Sequence, residues 1–67
     1  RLAELAGARA EVITPIPAGG VGEVAAMVQS QRYNSPAREV EGREVARGTI
    51  VAVQALVGTT LVVKKLT

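Results

Sequence analysis

Between Ala8 and Thr14 the chain alternates, with Ala8, Ala10 and Val12 on one side and Arg9, Glu11 and Ile13 on the other. A period of two is that of a strand with one face buried and the charged pair turned to water. Thr49–Val57 (TIVAVQALV) and Thr60–Leu66 (TLVVKKL) are two β-branched runs around Gly58-Thr59, a pattern that predicts a β-hairpin. Val21–Val28 stays open between two states. Its Ala, Met, Glu and Gln tolerate a helix, whereas a strand puts Val24, Ala26 and Val28 on one face. Tyr33–Val40 is a further extended candidate, interrupted at Ser35-Pro36, where the proline implies either an edge strand or a bulge.

The connectors complete the pattern. Pro15 and Pro17 cannot donate to a ladder and end the first strand. Ala18-Gly19-Gly20 makes a turn, Gln29-Ser30-Gln31-Arg32 a polar turn, and Glu41–Gly48 (EGREVARG) a charged loop. Arg1–Ala6 has apolar residues at helical spacing but is too short for an isolated helix, so it reads as a linker or the frayed end of one. Short strands at this spacing predict an all-β fold over residues 7–67: a small, antiparallel, five-stranded OB-like Greek-key barrel.

Composition sharpens this picture. The 67 residues include eleven Val and eleven Ala, no Phe, Trp, Cys or His, and Tyr33 as the one aromatic. The core is therefore aliphatic, without disulfides, and the common zinc ligand sets are missing. The lack of Cys leaves the redox compartment open. A net charge of +2 is too mild for the strong basic field of a typical nucleic-acid binder. No apolar run approaches the roughly 18 residues that span a bilayer. The chain starts at Arg1 and shows no signal peptide, so it is expected to be a fragment of something longer.

Gly20-x-Gly22-x-x-Ala25 matches the short fingerprint of a dinucleotide-binding turn, and Glu41 stands near the distance of a ribose-binding acid. That turn needs a strand running straight into the first Gly. Here Pro15-Ile16-Pro17 intervenes as a stiff linker, and nothing after Glu41 supplies further βα units. The glycines are instead assigned to a barrel corner, where positive φ and close strand approach are required. Ser30 and Ser35 lie in expected turns, with only Lys64 or Lys65 as a possible base, so no catalytic residue is assigned. No cofactor is expected either.

Arg32–Arg47 holds seven of the fourteen charged side chains and the aromatic residue. Glu39, Glu41 and Glu44 interleave with Arg38, Arg43 and Arg47, the usual look of a solvated, mutually neutralised face and of an edge that resists aggregation. Arg and Tyr are also residue types enriched in interface anchors. Arg32, Tyr33, Arg38, Arg43 and Arg47 therefore form the candidate partner-binding surface. The alternative for an OB-like barrel is single-stranded nucleic acid, but a lone aromatic and few strand cations are poor chemistry for stacking on bases.

The order and spacing of these motifs resemble the C-terminal soluble domain of the NfeD family. The resemblance is carried by Leu5-x-Gly7-x-x-Ala10-x-Val12-x-Thr14, by Ile16-Pro17-Ala18-Gly19-Gly20 leading into Gly22-x-Val24, by Arg32-Tyr33, and by Ala46–Val63 (ARGTIVAVQALVGTTLVV). The chain departs from the family at Gln29–Arg32, where a tight Gly turn is more usual, and at Ser35-Pro36. Both departures bear on the register of the central strands. The resemblance implies an OB-like barrel joined to transmembrane helices; it does not imply which side of the membrane the barrel occupies, and the cytoplasmic side is taken as the expectation. It also implies a non-enzymatic accessory role toward stomatin- or flotillin-like membrane partners and membrane protein quality control. Longer relatives carry a protease domain to which nothing here is similar.

Overall fold

Burial follows the alternation. In the computed structural model, which describes residues 7–66, Arg9–Thr14 forms β1 with Ala10 and Val12 buried and Arg9 and Glu11 exposed. The linker or helix end expected over residues 1–6 lies outside the described residues. Gly22–Val28 is a strand, β2, with Val24 and Ala26 fully buried. Its helix-tolerant composition is overridden because β1 and Gln31–Glu39 (β3) flank it and pair with it. Ile50–Val57 (β4) and Thr60–Lys65 (β5) form the expected hairpin, with a positive φ of 62° at Gly58, as a type II′ turn requires.

The sheet closes into a barrel in the order β1-β2-β3-β5-β4, the five-stranded Greek key expected from the sequence. The expectation of a wholly antiparallel barrel needs one correction. β3 and β5 run parallel over Ala37–Glu39 and Leu61–Val63, while every other pair is antiparallel. The connection through residues 40–49 carries the chain across one end of the barrel to pair β4 with β1, and β5 then returns alongside β3.

Two single-residue bulges tighten the curvature. Ile13 is the extra residue of β1 against β2, and Gln54 that of β4 against β5. The second one also re-aims side chains. Val53, buried, pairs with Val63 before it, and Leu56, 36% exposed, pairs with Leu61 after it, so the bulge shifts by one which residues of β4 stand opposite those of β5.

The turn expected over Gln29–Arg32 is tighter than its composition indicates. Only Gln29 and Ser30 lie in it, with φ of 52° and 66°, while Gln31 and Arg32 already belong to β3. Positive φ at both central residues is the type I′ geometry, here built without glycine. The turn fixes the register without slippage from Val28↔Gln31 to Gly22↔Ala37, so Pro36 makes no bulge. Hydrogen-bonded and non-bonded pairs alternate away from the turn. Pro36, opposite Glu23, therefore falls on a non-bonded pair, its nitrogen directed away from β2 and just short of the β5 pairing that begins at Ala37. The proline occupies an edge.

The core is a cluster of Val, Ala, Ile and Leu. One end is sealed by Ile16 and Val45, both buried, whose backbones exchange two hydrogen bonds of 2.9 and 2.8 Å. The glycine corner serves this seal. Gly19 has a φ of 70° and donates to the Gly42 carbonyl at 2.8 Å. A Cβ on Gly22 would lie 2.5 Å from the carbonyl oxygens of Thr14 and Pro15 and 2.8 Å from Ile16 Cγ1. β2 starts at Gly22, so no helix follows the glycines to receive a phosphate.

Glu39, expected on a solvated face, is 4% exposed. Its Oε1 accepts from the backbone N–H of Glu41 at 2.7 Å and of Arg43 at 2.9 Å, holding the start of the 40–49 connection. The Arg43 N–H is the main reason its carboxyl is held below the ordinary glutamate value. Burial opposes that effect, and the Glu41 N–H and the charges of Arg43 and Lys64 add to it.

Three outcomes follow for urea unfolding at constant slope. Gly22→Ala is expected to cost on the order of 3 kcal/mol, because backbone oxygens cannot move aside. Gly19→Ala, which meets only open space, is expected to cost about 1 kcal/mol from its positive φ. Ser30→Gly should stabilise by about 0.5–1 kcal/mol by relieving the turn. Glu39 has a lowered pKa in the folded state, so its contribution is complete above the unfolded carboxyl's range and disappears as pH falls through the folded value. The stability advantage of wild type over Glu39→Gln should hold from about pH 7 to about pH 5 and shrink at lower pH. A gap unchanged into strong acid would contradict the role given to this carboxylate.

Candidate functional site

With the interior filled by aliphatic side chains, recognition falls to the outer face, and register decides which residues meet there. Glu11 stands opposite Ile50 on one side and Ala25 on the other, and Ala25 opposite Asn34. The next row runs Lys64, Ala52, Arg9, Met27 and Arg32. Arg9 and Met27 adjoin one step beyond the Ala10↔Ala26 pair, and the other neighbours are paired directly. Neighbouring strands are about 4.8 Å apart, so Arg9 and Arg32 flank Met27 at about 10 Å from backbone to backbone.

Between these rows lies an open depression of about 320 Å³, lined by Arg9, Ala10, Glu11, Ala25, Met27, Arg32 and Ile50. Met27 is 60% exposed and Ile50 45%. An unbranched thioether and a branched aliphatic side chain thus stand in water between two guanidinium groups and one carboxylate. Arg32 Nε donates to Asn34 Oδ1 at 3.2 Å, which orients that arginine along the strand. Among the described residues the one ion pair is Arg43–Glu41 at 2.9 Å, so Arg9, Arg32 and Lys64 have no carboxylate partner there. The Arg43–Glu41 pair is largely exposed and screened by water.

The five residues proposed from the sequence are not gathered into one patch. Arg32 and Arg38 share the outer face of β3 but lie six positions, or about 20 Å, apart. Tyr33 alternates to the opposite face, paired with Ala26, and its hydroxyl donates to Gln31 Oε1 at 2.9 Å. Arg43 and Arg47 are exposed in the 40–49 connection at the sealed end. Arg9, Glu11, Ala25, Met27 and Ile50 were not singled out from the sequence. β1, β2 and β3 follow one another in the chain while β4 comes from residues 50–57, and the register decides which of their side chains meet.

Among the described residues no three His, Cys, Asp or Glu side chains are grouped to hold a metal ion. Ser35 Oγ donates to the Pro36 carbonyl at 3.0 Å, the local backbone service typical of a turn or edge serine.

No curated protein matches the chain. Among solved structures it is similar to the C-terminal domain of the stomatin operon partner protein 1510-C from Pyrococcus horikoshii. That match has a TM-score of 0.80 at 21% identity and covers 100% of this chain and 95% of that one. At this identity the likeness is one of fold. The soluble domain of the NfeD protein YuaF from Bacillus subtilis superposes with a TM-score of 0.79 at 27% identity, covering 90% of this chain and 71% of that one. A third likeness is the soluble domain of a membrane protein implicated in regulation of membrane protease activity from Corynebacterium glutamicum. It has a TM-score of 0.70 and 30% identity, and 94% of each chain is covered. The family model for the NfeD C-terminal domain matches residues 9–64, nearly the whole barrel. The chain belongs to the NfeD C-terminal domain family.

Proposed function

We propose that this barrel is a non-enzymatic interaction module of a membrane-anchored NfeD-like protein. It sits on the cytoplasmic side and docks a stomatin- or flotillin-like membrane protein in the service of membrane protein quality control. The observation that carries this reading is family membership over residues 9–64. Similar structures support it: one is the soluble domain of a membrane protein, one the soluble domain of an NfeD protein, and a third comes from a stomatin operon partner. The outer face adds a physical reason. Exposed Met27 and Ile50 lie beside cations without carboxylate partners among the described residues, the mixture found at protein interfaces. Nucleic acid is the poorer fit, because Tyr33 and the β3 arginines occupy opposite faces and cannot stack a base and hold its phosphate together.

The test is co-purification of the membrane-anchored parent with a stomatin-like protein from detergent-solubilised membranes. Capture is expected with the intact protein and is expected to vanish when the barrel is deleted; capture unchanged by the deletion would overturn the proposal. Arg32, Tyr33, Arg38, Arg43 and Arg47 remain the surface proposed from the sequence. Reversing Arg38, Arg43 and Arg47 to Glu is expected to weaken capture, and capture left unchanged would remove this surface. Membrane side can be read independently. The chain has no Cys, so Gln54→Cys in a Cys-free parent should resist an impermeant maleimide in intact cells and react after lysis.

A further inference from the structure

The outer face of β4, β1, β2 and β3 carries a finer assignment, which rests on the interaction-module reading. We propose that the depression between Arg9, Met27, Arg32 and Ile50 is the docking groove for an acidic, aliphatic segment of a partner protein. Its charge and shape select this occupant. Arg9 and Arg32 stand on either side of Met27, about 10 Å apart. Lys64 extends the same row of cations beyond Ala52. Two carboxylates on one segment can therefore engage the arginines while an aliphatic side chain between them covers Met27, Ala25 and Ile50. At about 320 Å³ the depression is at the lower limit of ligand sites, large enough for one or two side chains and too small and open to enclose a cofactor.

Glu11 sets the class of partner. It lies in the wall of the groove, one position from Arg9 on the outer face of β1 and beside Ala25. A continuous polyanion, whether nucleic acid or an anionic membrane, would have to place charge against this carboxylate. It would also gain nothing from Met27 and Ile50, and no aromatic ring lines the groove for a base to stack on. A protein segment can place a neutral or basic residue at Glu11 and acids at the arginines. Met27 suits this role because its flexible side chain adapts to branched or unbranched partners.

The experiment pans a random displayed peptide library against the whole chain and titrates a synthetic copy of the most enriched peptide. Selected sequences are expected to carry Asp or Glu flanking Leu, Ile, Val or Met. The Kd should rise about tenfold in each of Arg9→Glu, Arg32→Glu and Met27→Glu, and fall in Glu11→Gln. All four side chains are exposed on the outer face, so urea midpoints close to wild type are expected to accompany these changes. The inference fails if no peptide is selected, if acidic residues are not enriched, or if the groove variants bind equally well. It also fails if oligothymidylate or phosphatidylglycerol vesicles bind more tightly than the peptide and lose binding in Arg32→Glu. Co-purification of a stomatin-like protein that survives Met27→Glu would sink the groove and leave the interaction module standing. Peptide binding without any such co-purification would support the groove and remove that partner.

Discussion

The mutual backbone hydrogen bonds of Ile16 and Val45 tie together the two longest connections of the chain and hold both side chains over one end of the barrel. A barrel of Val and Ala, without Phe or Trp, has little bulk with which to fill its own interior. Its stability therefore depends on excluding water from the ends. The prolines around Ile16 stiffen its approach. Gly22 lets β2 leave the corner beneath it, and Glu39 pins the loop that brings Val45 across. These features are separate in the sequence and form one device in the fold.

Inside and outside are nearly independent in such a barrel. Alternation sends Ala10, Val12, Val24 and Ala26 into the core and leaves Arg9, Glu11, Ala25 and Met27 free to vary without disturbing it. The family fold can thus present different outer faces on one scaffold, and the recognition chemistry of this chain is a property of its own side chains. The β2–β3 hairpin illustrates the same economy. Gln29 and Ser30 hold positive φ without glycine, and that strained turn sets the register of the strands carrying Met27 and Arg32.

Where the sequence was legible, the signal was local. The period of two marked β1, the β-branched runs marked the β4–β5 hairpin, and the prolines and glycines marked the corner. The order of these motifs carried the family resemblance. Glu39 was misplaced because a carboxylate among arginines looks solvated until the β3–β5 seam buries it and a tight loop offers it two N–H groups. The bulge at Gln54 and the parallel seam left no local trace. The arginines of residues 32–47 formed a ribbon in the sequence but spread over β3 and the sealed end in space.

By itself, then, the sequence determined which residues could be strands, which faces could be apolar, where the chain must turn, and the fold family. Each of these depends on neighbours within a few positions. Only the tertiary structure decided which strands adjoin, where the bulges re-aim side chains, and that Arg9, Met27, Arg32 and Ile50 share one surface. Those outcomes depend on closing a sheet on itself, where one residue of register anywhere in the circuit moves side chains from the core to the surface everywhere downstream.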